Sequence, residues 1–220
     1  MNKTKEKIIL TAIKLYNESG FAIVLNQDIA KSAAISLSNF NYHFATKQEL
    51  VFSVCEYMVI DLKGRMSETS VLINKGRMAL DIPKIYLEFE YDYKFFYLDT
   101  YNILQTYPIL KEEMYKQINQ SMQIIKNLNY LSIGMGYFKP EPEDFPGLYD
   151  KLVEQIWVNS HFWFAQNIIR GSKNDSIVKG LENSYALIFP YLTVKGKIRY
   201  KEYIANIKEE DNEVKATSSK

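Results

Sequence analysis

Residues 26–50 read Asn-Gln-Asp-Ile-Ala-Lys-Ser-Ala-Ala-Ile-Ser-Leu-Ser-Asn-Phe-Asn-Tyr-His-Phe-Ala-Thr-Lys-Gln-Glu-Leu, and their punctuation decides the fold. Asn26 is a good N-cap for a helix over about Gln27–Ala34, with Ile29, Ala30 and Ala33 turned inward. Ser36 caps a second helix over about Leu37–His43. Thr46 and Glu49 then fit a capping box, each satisfying the other's backbone donor at the start of a third. The second helix exposes polar and aromatic side chains rather than a fully apolar face. Two short helices around a tight turn, arranged so, outline a helix-turn-helix that lays its second helix in the DNA major groove.

The flanks continue the helical pattern. A helix from about Thr4 to Ser19 places Ile8, Ala12 and Leu15 on one stripe, and Gly20 ends it. The helix opened at Thr46 is expected to reach about Ser67, carrying Leu50, Val54, Tyr57, Val59 and Leu62. Breaks are expected at Asn74–Gly76, Pro83, Pro108 and a Lys139–Gly147 loop that holds Pro140, Pro142 and Pro146. Two long helices follow, about Leu148–Arg170 and Ser176–Tyr191, then a weaker one near Lys197–Lys208. Tyr93–Tyr97 has strand propensity, but helical spacing surrounds it. The expectation is an all-α chain: a three-helix DNA-binding head over residues 1–48, a helical body over 49–208, and a disordered polar tail over 209–220.

With 47% hydrophobic residues in 220, the chain can bury a substantial core. Its net charge is only +1, so a nucleic-acid surface has to be local. Residues 1–50 hold six lysines against four acidic residues, a mild N-terminal excess. Cys55 is the only cysteine, which excludes an intrachain disulfide and a cysteine-rich metal site; it reads as a small buried hydrophobe. No secretory signal pattern is present and no apolar run approaches the ~20 residues of a membrane span, so a soluble cytoplasmic protein is expected.

Catalytic patterns are missing. A di-iron bundle needs Glu three residues before each His, but His43 and His161 follow Phe40 and Val158 at that spacing. Gly134-Met135-Gly136 lacks the third glycine of a dinucleotide motif. No P-loop or nucleophile elbow appears. The reading is not an enzyme, with no metal and no cofactor.

Taken in order, Gly20, Asp28-Ile29-Ala30, Ala33-Ala34-Ile35-Ser36, Tyr42-His43-Phe44 and Lys47-Gln48-Glu49-Leu50 resemble the TetR family of bacterial transcriptional regulators. The match covers about residues 5–52, and its order and spacing are specific. Ala34 stands where the family commonly has Gly, at a turn position where an alanine would carry strain. Ser38 replaces a second common Gly, and Asn41 replaces a common aromatic. The resemblance implies a helical ligand-binding body, dimerisation through its last two long helices, and release from DNA when a small molecule binds. Repression is the family's usual mode.

On that frame the second helix of the motif presents Ser36, Leu37, Ser38, Asn39, Asn41, Tyr42 and His43 to the groove. Asn39 and Asn41 suit adenine edges, and Leu37 a thymine methyl. Tyr42, His43, Thr46 and Lys47 are expected at phosphates, near a helix N-terminus that favours anions. Asn26 and Gln27 open the preceding helix and join the DNA-facing set. Lys3, Lys5 and Lys7 form a basic arm adding salt-dependent attraction. Phe40 and Phe44 read as core plugs.

The body is dense in aromatics, most of them core. A ligand cavity, if lined by aromatics and Met, would draw on Tyr86, Phe89, Tyr101, Met122, Trp157 and His161, and would suit a lipophilic or aromatic effector. Glu154, Trp157, Phe164, Ile168 and Tyr185–Leu192 are candidate positions for a homodimer interface, since a palindromic DNA operator needs two heads. The alternative reading is a helical protein-binding adaptor without DNA recognition.

Overall fold

The computed structural model describes residues 2–74, 80–171 and 177–218. Among them the helices run α1 (Lys3–Ser19), α2 (Asn26–Ser32), α3 (Leu37–His43), α4 (Lys47–Asn74), α5 (Asp81–Asp92), α6 (Lys94–Leu98), α7 (Thr100–Thr106), α8 (Ile109–Gly134), α9 (Leu148–Ile169), α10 (Ile177–Ile188) and α11 (Val194–Ser218). A 3-10 turn, Phe189–Tyr191, precedes α11. The β pairing among the described residues is one isolated bridge, Phe138 to Leu192. The all-α expectation holds.

Three boundaries differ from those expected. Pro83 does not break a helix: it sits in the first turn of α5, where a missing N–H costs nothing because that donor has no intrahelical acceptor. α4 continues past Ser67 to Asn74; the rest of the break expected at Asn74–Gly76, and Ser176, lie outside the described residues. α11 starts at Val194 and passes through the expected tail to Ser218, with Ser219 and Lys220 outside the described residues. Its Ile204 and Ile207 are buried, and ion pairs Lys208–Glu182 (2.6 Å) and Lys84–Glu210 (3.3 Å) hold the turn beyond them.

The chain forms two compact units: residues 1–65 with 89–117, and residues 66–88 with 118–220. The first is built on one continuous apolar cluster. Ile8, Ile9, Ala12 and Tyr16 of α1 meet Ile29 of α2, Phe40 of α3 and Leu50, Val51 and Val54 of α4, and the cluster extends to Phe95, Phe96, Ile103 and Tyr107. Tyr16 lies 5.2 Å from Phe95, and Phe21 6.2 Å from Tyr107, ring to ring. The core of the helix-turn-helix is therefore also that of α6 and α7. Polar ties reinforce it. Asn17 donates to the Asp92 carbonyl (2.7 Å) and accepts from the Phe95 N–H (3.0 Å). Arg65 bridges Asp61 and Asp92, each at 2.8 Å, and the Tyr93 hydroxyl donates to Asp61. Burial and the Asp61 carboxylate both push the Tyr93 hydroxyl pKa upward.

The second unit packs Leu80, Leu87, Tyr149, Leu181, Tyr185, Leu192, Ile204 and Ile207 together. Tyr185 is fully enclosed and donates to the Leu80 carbonyl. The proline-containing loop is non-helical as expected, and it is pinned: the Tyr149 N–H donates to Glu141 (2.9 Å) and its hydroxyl to the Lys139 carbonyl (2.8 Å). Among the described residues no helix is long and apolar enough to cross a membrane.

Candidate nucleic-acid interface

Local chemistry sets the two helices of the motif. Leu25, not Asn26, is the N-cap of α2: the Leu25 N–H is held by the Asp28 carboxylate at 2.9 Å, and Asn26 is the first helical residue. The Asn26 amide oxygen is shut away from solvent, which leaves only its NH2 group for an external partner. Gln27 is exposed. α2 closes with the paired bonds of a Schellman motif, Ala34 N–H to Lys31 O (3.1 Å) and Ile35 N–H to Ala30 O (3.0 Å). Ala34 takes φ 53°, the one non-glycine positive φ among the described residues, at the position where the sequence places strain.

α3 then starts on Ser36, whose Oγ accepts from the Asn39 N–H at 3.1 Å. Phe40 is fully buried, and Phe44 follows it into the core at 6.1 Å. Leu37, Ser38, Asn39, Asn41 and Tyr42 are exposed, Tyr42 at 86%. His43 is half-buried and meets the Tyr42 ring edge-to-face at 5.2 Å. One side of this short helix plugs the core and the rest faces solvent.

At the start of α4, Thr46 Oγ1 accepts from the Glu49 N–H (3.2 Å). Glu49 reaches back one residue further than the expected box, to the Ala45 N–H (2.9 Å). Lys47 departs from the expected phosphate role. Its ammonium donates to the Phe21 and Val24 carbonyls at 3.0 and 3.2 Å, and burial lowers its pKa. The basic arm is not an arm: α1 begins at Lys3, capped by Asn2, whose side chain accepts from the Thr4 N–H at 2.8 Å. Lys3 and Lys7 are exposed, while Lys5 lies over the Phe44 ring at 5.3 Å. An exposed cation absent from the expected set is Lys31, in the last turn of α2. Its place opposite Ile29, Ala30 and Ala33 in the helical period is a signal the sequence does contain.

Of the six residues expected to line a ligand cavity, three come together in the second unit. The Tyr86 and Trp157 rings are 5.2 Å apart, and Trp157 lies 4.3 Å from His161. Phe89 sits in the first unit's core against Tyr93 at 4.7 Å. Met122 is half-buried. Tyr101 is 74% exposed, so it does not line an interior cavity. Burial pushes the Cys55 thiol up to about 12, which removes it as a nucleophile near neutral pH.

Fold and site together define a class: an all-α protein with a helix-turn-helix head whose second helix turns its polar side to solvent. Comparison with known proteins makes the class specific. Residues 8–54 match "Bacterial regulatory proteins, tetR family", and residues 80–200 match the TetR description "Bacterial transcriptional repressor". The chain belongs to the TetR family, a family of DNA-binding transcriptional regulators and not of enzymes. The HTH-type transcriptional regulator YerO of Bacillus subtilis strain 168 is 33% identical over 141 residues, which are 62% of this chain and 49% of YerO. The match thus spans about half of that relative's length. A TetR-family regulator from Marinobacter aquaeolei VT8 has the same fold, with a TM-score of 0.74 at 21% identity, covering 94% of this chain and 98% of that one. A transcriptional regulator from Saccharomonospora viridis, solved in complex with choline, follows with a TM-score of 0.69 at 14% identity, covering 87% and 98%. The family match weighs against the adaptor alternative.

Proposed function

We propose that the chain is a cytoplasmic repressor that binds a palindromic operator as a homodimer and is released by a small lipophilic or aromatic effector. The observation that carries the DNA-reading part is the split of α3: Phe40 is sealed in the core while Leu37, Asn39, Asn41 and Tyr42 stand in solvent. A seven-residue helix that buries one large side chain and exposes two carboxamides beside an aromatic is built to present hydrogen-bonding groups. Asn39 and Asn41 read base edges and Leu37 meets a thymine methyl. Ser36, Ser38, Tyr42, His43 and Thr46 meet sugar and phosphate, joined by Gln27 and the Asn26 NH2. The Ser36 and Thr46 oxygens are occupied as acceptors, so their hydroxyl protons remain to donate. Lys3 and Lys31 supply screened attraction.

The effector reading rests on the Tyr86, Trp157 and His161 rings. Aromatic faces of this kind receive flat apolar ligands, and they also receive cations. The choline complex of the Saccharomonospora viridis regulator favours a quaternary ammonium as the second class to test.

The test is selection of binding sites from a random-sequence duplex pool, followed by gel shift with competitor DNA. A palindromic motif whose binding is lost on Asn41→Ala with Tyr42→Ala is the expected result. Enrichment of no motif sinks the reading.

A further inference from the structure

We propose that Lys47 is a positioning residue for operator recognition: its ammonium ties the α1–α2 connection to the start of α4 and so sets where α2 and α3 stand. This rests on the reading of α3 as the operator-reading helix. A lysine at the first position of a helix beside the recognition motif has two available directions. It can extend outward to a phosphate, or fold back along its own stem. Here it folds back.

Lys47 Nζ donates to the carbonyls of Phe21 (3.0 Å) and Val24 (3.2 Å), 26 and 23 residues earlier in the chain. It also lies 4.6 Å from the Phe21 ring centroid and 5.9 Å from that of Tyr16. Two of its three donors are thus used on the connection and the cation rests on aromatic faces, an arrangement that suits a partly desolvated ammonium. The two carbonyls belong to the non-helical segment after Gly20, and among the described residues no backbone N–H donates to either. Without Lys47 they would face a partly buried site unpaired. Burial pulling the ammonium pKa down fits a sheltered cation.

The consequence passes along the chain. Val24 precedes Leu25, the α2 N-cap, and α2 hands its orientation to α3 through the Schellman turn at Ala34. Fixing the connection at Phe21 and Val24 therefore fixes the origin of the helix that carries α3.

The test uses the full chain, a duplex selected by the wild-type protein from a random-sequence pool, and a scrambled duplex. At a temperature where circular dichroism shows it folded, Lys47→Met should lose roughly tenfold or more in affinity for the selected duplex, since a hydrogen-bonded charge is lost. The ratio of selected to scrambled affinity should fall, which loss of folded protein alone would not produce. The slope of log affinity against log salt should stay at the wild-type value. A slope smaller by about one, with the ratio preserved, would mean a phosphate contact and overturn the proposal. So would unchanged affinity. A second measurement needs no operator and no variant: reductive methylation read by mass spectrometry. Lys47 should react several-fold more slowly than Lys3 or Lys31 in the free protein, with no added protection from DNA. Reaction as fast as Lys3, or protection appearing only with DNA, overturns the inward ammonium. If selection enriches no motif, operator reading itself fails, and the methylation arm still reports separately whether the tether exists.

Discussion

Ala34 carries the clearest single-residue cost in the head. A residue with a Cβ in the left-handed region loses about 1 kcal/mol or more to the clash with the following carbonyl. Ala34→Gly removes that clash but adds unfolded-state entropy, so the net expected gain is roughly 0.5 kcal/mol. A urea titration should show a higher midpoint at an unchanged slope; a lower midpoint would mean that the turn is not strained. This strain is legible in the sequence only through the family resemblance, because Ala34 stands where the family commonly has Gly. Lys47 is not legible in the same way. Nothing local distinguishes a lysine reaching for phosphate from one reaching back, and the carbonyls that decide it are more than twenty residues away in sequence. Asn17 is a similar case, since its two partners on the α5–α6 junction lie more than seventy residues on.

Helices, by contrast, were set by punctuation that the chain carries locally. Ser36 and Thr46 cap where their side chains predict, Gly20 follows α1, and the three prolines of the loop keep 139–147 out of helix. What punctuation does not supply is how far an element runs once packing supports it. α11 reaches Ser218 through a polar stretch with few apolar residues because Ile204 and Ile207 dock in the second core. Its start is equally tight. Thr193 Oγ1 caps it by accepting from the Gly196 N–H (3.1 Å), and the Thr193 N–H donates to the Tyr137 carbonyl (3.0 Å). A Cβ on Gly196 would land on that same carbonyl oxygen, a backbone atom that cannot swing aside. Gly196→Ala should therefore cost about 1–3 kcal/mol, as overpacking does. Gly64→Ala, where a Cβ meets open space in the middle of α4, should instead gain up to about 1 kcal/mol from helix propensity. Thermal melts of the pair separate the two effects, and equal shifts would refute the close approach at Gly196.

At the scale of the whole molecule, the proposed homodimer has to bring two heads to one operator. α9 is apolar on more than one side, so its period alone does not say which stripe packs internally. Phe164, with Tyr185, Ile188 and Leu192, is buried within the single chain. The sequence offers these four positions for an interface, and the chain's own core occupies them. The apolar surface left over on α9 is Val158, Phe162 and Ile169, exposed at 51, 60 and 74% and spaced to fall on one face, with Ile168 beside them. Large side chains exposed in a row along a long helix are the expected signature of a partner surface. A homodimer through α9 and α10 would cover them, and a stable one buries roughly 800 Å² per partner. Phe162→Glu with Val158→Glu would place like charges across a twofold axis at the centre of that face, where they cannot be paired. The double variant should sediment as a monomer at concentrations where the wild type is a dimer, with its helical content retained. Its affinity for a palindromic duplex should fall towards that for a single half-site, because the second head is no longer delivered by the first. A variant that remains dimeric would move the interface off this face of α9, and one that turns monomeric yet keeps full affinity would separate operator binding from dimerisation.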